Sequence, residues 1–150
     1  MFGFEKKPTF QEATTFNSDY ASFRDLCSAI PKADDVDVFV TQRKNLMENL
    51  SRMIAFQKKY PKMFKGKDSP QKIAEQMKKD RKQFEKAFVD RYIKATMRNI
   101  IEYKTDRGRE DCFTHAVEVF AFYHDEFLPE TMKYFQKLIK NVPVQKGNIL

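Results

Sequence analysis

Residues 36–59, VDVFVTQRKNLMENLSRMIAFQKK, decide the fold class. Val36, Phe39, Val40, Leu46, Met47, Leu50, Met53 and Ile54 hold one stripe, while Lys44, Asn45, Glu48, Ser51 and Arg52 lie opposite. That is the period of a helix with one buried face. Asp34, Asp35 and Asp37 cluster at its start, where carboxylates meet the positive end of the helix dipole. Tyr60-Pro61 closes it, because the residue before a proline avoids the helical region.

The neighbouring segments extend the same pattern. Ser18 and Asp19 suit the cap of a first helix ending before Pro31, with Tyr20, Phe23, Leu26, Cys27 and Ile30 on one face. Ser69-Pro70 marks the start of a third helix, an N-cap followed by proline at the first helical position. It meets no stop until about Thr105–Gly108. Ile73, Met77, Phe84 and Phe88 share one side of it, whereas Ile93, Met97, Ile100 and Ile101 lie nearly opposite. Either this helix bends near Val89–Tyr92, or its halves pack against different neighbours. A fourth helix, 109–128, is apolar over more than half its circumference and is expected at the centre of the bundle. A last helix follows Pro129 and buries Met132, Phe135, Leu138, Ile139 and Val142.

Composition agrees. Hydrophobic residues make up 41% of the 150 and charged residues 33%, enough for both a core and a solvated shell. Four glycines and six prolines leave little punctuation for the many turns of a β-sandwich or barrel. The expectation is all-α: a single-domain bundle of about five helices over 18–142. Residues 1–17 read as an irregular arm carrying Phe2, Phe4, Phe10 and Phe16, which packs on its own domain or docks on a partner; self-packing is favoured, since a free aromatic arm invites aggregation. Residues 143–150 read as a loose tail. No stretch approaches the roughly 18 apolar residues of a membrane span, and Met1–Lys7 lacks the apolar run of a signal peptide. A cytoplasmic location is expected, with secretion without a cleaved signal left open. Cys27 and Cys112 are expected as buried free thiols in a reducing compartment, a disulfide or a reactive thiol being the alternatives.

The net charge of +7 is concentrated. Between Gln57 and Lys82 the basic residues are Lys58, Lys59, Lys62, Lys65, Lys67, Lys72, Lys78, Lys79, Arg81 and Lys82, against Asp68, Glu75 and Asp80. Ten against three accounts for all of it. Tyr60, Met63 and Phe64 interleave with these lysines, as stacking groups do in proteins that hold single-stranded nucleic acid. Near-absence of arginine weighs against two-pronged phosphate or guanine contacts. A solvated helix end, an acidic protein partner and a membrane surface are the competing readings.

Catalytic patterns are sparse. His115 and His124 are nine residues apart, about 900° around one helix, so they fall on opposite sides and share no metal. Asp111 and Glu118 lie within a turn of His115, a carboxylate–imidazole grouping and the basis of the only enzyme reading. His124, among Val117, Phe120 and Leu128, is expected in the core. There is no phosphate-cradling glycine loop, no Gly-x-Ser-x-Gly and no His-Glu-x-x-His. Neither a metal nor a cofactor is expected. Fifteen phenylalanines and seven methionines in a chain without tryptophan suit an adaptable apolar surface. Ile93, Met97, Ile100 and Ile101 are nominated as that face. The functional expectation is a non-enzymatic helical interaction protein, of regulator, inhibitor or adaptor type, that binds a protein partner or forms a homodimer. The alternatives are a nucleic-acid-binding module using 58–82 and an enzyme using Asp111, His115 and Glu118.

Overall fold

The Thr9 side chain accepts a hydrogen bond from the Glu12 N–H at 3.1 Å, and the Glu12 carboxylate accepts from the Thr9 N–H at 3.0 Å. This reciprocal capping box satisfies two otherwise orphaned donors. Helix α1, Phe10–Ala29, therefore begins well before Ser18, and Phe10 and Phe16 are helical rather than part of an irregular arm. The computed structural model describes residues 7–144. Phe2 and Phe4 of the expected arm, and 145–150 of the expected tail, lie outside the described residues.

A 3-10 turn, Ile30–Lys32, follows α1. Helix α2 spans Val36–Lys59. Its start is capped by the Asp35 carboxylate, which accepts from the Asp37 N–H at 2.9 Å. Two 3-10 turns, Pro61–Met63 and Gly66–Asp68, lead into helix α3, Pro70–Ile101. Helix α4, Asp106–Phe122, is capped by Thr105, and helix α5 spans Pro129–Ile139. The fold is all-α, with five α-helices and no strand among the described residues.

The chain divides into two compact units, 1–32 with 41–80 and 33–40 with 81–150, so the boundary falls within both α2 and α3. In the first unit, α1 and α2 run antiparallel. Phe16 stacks on Phe56 with ring centroids 4.6 Å apart, and Phe64 meets Phe16 edge-on at 5.3 Å. Phe23, Leu46, Leu50, Met53 and Tyr60 are buried here.

The second unit is built on aromatic rings. Phe120 stacks on Phe135 at 3.9 Å and on Phe127 at 4.7 Å, and Phe39 stacks on Phe88 at 4.0 Å. Phe120 gives α4 the central place expected of it, but through one face. Phe122 is exposed, and only Arg109, Ala116 and Phe120 of α4 are buried. The helix also stops earlier than expected. Pro129 at the first position of α5 holds Leu128 extended, so the chain leaves α4 through a 3-10 turn, His124–Glu126. Helix α3 is continuous through Val89–Tyr92. Phe88, Val89, Tyr92, Ile93, Ala95, Thr96 and Ile100 are all buried, so in this unit α3 is covered on more than one side.

Candidate functional site

In the first unit three rungs tie α1 to α2. The Arg52 guanidinium donates to both carboxylate oxygens of Asp19 at 3.0 Å, Phe16 stacks on Phe56, and the Lys59 ammonium lies 2.7 Å from the Glu12 carboxylate. The rungs recur every three to four residues along each helix, so they share one face. They line an open groove of about 380 Å³. The Lys59 ammonium and the Tyr60 hydroxyl, both donating to Glu12, hold its carboxyl down at about 2, well below the ordinary 4.5. The same contact raises Lys59.

The aromatic residues of the lysine-rich segment do not stand out as stacking groups. Tyr60 is only 2% exposed, and its hydroxyl donates to Glu12 at 2.7 Å. Phe64 packs against Phe16 and Phe56. Among the described residues the large exposed apolar groups at this end are instead Met63 and, in the first turn of α1, Phe10. Lys58, Lys65, Lys78 and Lys79 are exposed and make no ion pair among the described residues. Lys62 is exposed as well, Lys59 is held by Glu12, and Lys72 pairs with Glu75 at 3.7 Å. Of Lys67 only the backbone is described. Arg81 and Lys82 belong to the second unit, where Arg81 donates to the buried Glu85 at 2.8 Å.

The nominated apolar face on α3 is divided. Ile93 and Ile100 are buried within the second unit, whereas Met97 and Ile101 are exposed. A strict helical period places all four together; α3 is enclosed too widely here for the first and third to reach a partner. Tyr103, just past the helix, is exposed beside the surviving pair. Gly108 makes room for it, since a Cβ there would come within 3.0 Å of the Tyr103 ring. The buried Arg109 donates to the Tyr103 carbonyl and to the Val144 carbonyl, each at 2.9 Å, fixing both ends of this region.

The Asp111, His115 and Glu118 grouping is not assembled. All three are exposed, and among the described residues no hydrogen bond joins His115 to either carboxylate. His115 lines a cavity of about 150 Å³ with Asp34, Asp35, Asp37, Tyr92 and Cys112. Those aspartates already have tasks: Asp35 caps α2, Asp34 pairs with Arg98 at 3.4 Å, and Asp37 accepts from the Tyr123 hydroxyl. Among the described residues no group of three ligating side chains suits a metal ion. His124 is exposed rather than in the core, because α4 ends before it; its Nε2 lies 3.0 Å from Asp125. Both cysteines are free, but neither is fully buried: Cys27 is exposed and Cys112 half-buried. Packing around each thiol pushes its pKa up, away from the reactive thiolate.

Glu85 was not anticipated. It is fully buried, and one carboxylate oxygen accepts from the Leu128 N–H at 2.9 Å and from the Thr131 hydroxyl at 2.6 Å. Leu128 offers no side-chain cap of its own, so α3 supplies the cap for α5. Its sequence position, one turn before Phe88 and Val89 on the same face, is the signal that could have found it. No family model, curated protein or solved structure matches this chain.

Proposed function

We propose that the chain is a non-enzymatic interaction protein of the adaptor type, binding a protein partner or a second copy of itself through Met97 and Ile101 at the end of α3. The observation that carries this reading is the contrast inside the second unit. The rings of its core, Phe39, Phe88, Phe120, Phe127 and Phe135, are stacked and buried, yet Ile101 is 59% exposed next to exposed Met97 and Tyr103. Single exposed apolar side chains are ordinary. Three together, on a helix end held by Arg109 and the close approach at Gly108, form a small rigid platform. Rigid presentation lowers the ordering cost of binding.

The competing readings have less support. Tyr60 and Phe64 face inward, so the lysine-rich segment lacks the stacking groups that hold single-stranded nucleic acid. Among the described residues no carboxylate bonds His115 to orient it as a base. The test is a photo-crosslinking residue, benzoylphenylalanine, placed at Ile101, with Lys133 as the control position. A discrete adduct from Ile101 alone, lost on adding Met97→Lys, is expected; its mass separates homodimer from heteromeric complex. Absence of any adduct in cells that express the protein sinks the proposal.

A further inference from the structure

The first unit presents a second surface, and it is chemically unlike the first. Glu12 bonds Lys59 and Tyr60, so the start of α1 lies beside the end of α2. Phe64 folds back onto Phe16 and thereby draws the segment after α2 to the same end. Phe10, 88% exposed, and Met63, 56% exposed, therefore sit among exposed Lys58, Lys62 and Lys65. Between 57 and 80 there are eight lysines against three acids.

We propose that this end of the first unit docks on an anionic membrane surface, with Phe10 and Met63 entering the interface and Lys58 and Lys65 meeting the lipid headgroups. Protruding apolar side chains ringed by lysines fit a fluid anionic interface, where short insertions and diffuse charge act together. Lysine suffices there, because a headgroup layer does not demand the fixed fork of arginine. The groove between α1 and α2 is the rival surface, suited to an acidic peptide. Its charged walls are already engaged, Arg52 by Asp19 and Lys59 by Glu12, so an incoming carboxylate would have to displace one that is in place. A nucleic-acid strand stacks successive bases on several outward rings, whereas Tyr60 and Phe64 pack against α1 and leave Phe10 as the one strongly exposed ring among the described residues of this end.

The test is co-sedimentation of the whole chain with vesicles of phosphatidylcholine and phosphatidylserine at seven to three, against phosphatidylcholine alone. Binding to the mixed vesicles only, weakening as salt rises, is expected. Lys58→Ala and Lys65→Ala should each weaken it about fivefold. The pair Phe10→Ser with Met63→Ser should weaken it about tenfold or more at unchanged charge, with helical content by circular dichroism showing that the variants fold. Equal binding to both vesicle types, no binding to either, or binding indifferent to the serine pair each overturns the proposal. So does retention of single-stranded RNA or polyglutamate by a chain that ignores the vesicles. The proposal rests on the first unit alone: the adduct at position 101 should survive the serine pair, and its loss or absence judges the other reading separately.

Discussion

The first unit has fifteen basic residues against eight acidic and carries the whole net charge, whereas the second has thirteen of each. Their polar groups are also placed differently. In the first unit the ionic contacts between helices, Glu12 with Lys59 and Asp19 with Arg52, lie along an open groove. In the second, Glu85, Thr96, Arg109 and Thr131 are buried, each bonded to backbone or to another buried group. Exposed pairs are screened and contribute little, while buried, fully bonded groups are costly to break. The second unit thus buries its bonded polar groups, whereas the ion pairs that join α1 to α2 in the first lie at its surface.

The comparison breaks most easily at Phe120. Its ring touches Phe88, Tyr92, Phe127 and Phe135, so Phe120→Ala should cost about 4 kcal/mol in urea unfolding. Amide exchange should rise in α5 and in the 81–101 part of α3 before it rises in α1. A uniform rise in both units would show that the difference drawn here has no energetic counterpart. Glu85→Ala comes next, at about 3 kcal/mol, because it leaves the Leu128 N–H, the Thr131 hydroxyl and Arg81 without their shared acceptor. Its signature is local, an early loss of protection at the first turn of α5. Glu85→Gln should recover part of it, since the amide oxygen still accepts.

Local signals carried most of the fold. Periodicity fixed α2, and Ser69-Pro70 and Pro129 fixed the starts of α3 and α5. The start of α1 is equally legible, as Thr9 followed by Glu12, yet Thr14, Thr15 and Asn17 beyond it are poor helix formers. The candidate surfaces were less legible, because burial depends on contacts distant in sequence. Tyr60 and Phe64 sit among lysines in the chain, but their rings are taken up by Glu12, Phe16 and Phe56. Ile93 and Ile100 carry the same period as Met97 and Ile101, and nothing within α3 says which pair its neighbours will cover. The exposure of Phe10 follows from a helix that starts there, which a start at Ser18 leaves out.

The smallest expected effect lies at the Thr9–Glu12 cap and tests the surface contacts of the first unit. Thr9→Ala removes the acceptor for the Glu12 N–H and should cost about 1 kcal/mol. Glu12 adds a pH dependence of definite sign. Its carboxyl titrates at about 2 in the folded chain and near 4.5 when unpaired. The ionised form is thus the one that folding favours, so its contribution is complete above about 4.5 and fades as the pH falls toward 2. Nitrogen-resolved NMR of the first turn of α1 should show it fraying through that window, while Glu12→Gln should fray the turn already at neutral pH and remove the dependence. If α1 holds unchanged down to pH 2, then the Glu12 pairing is not what holds its first turn.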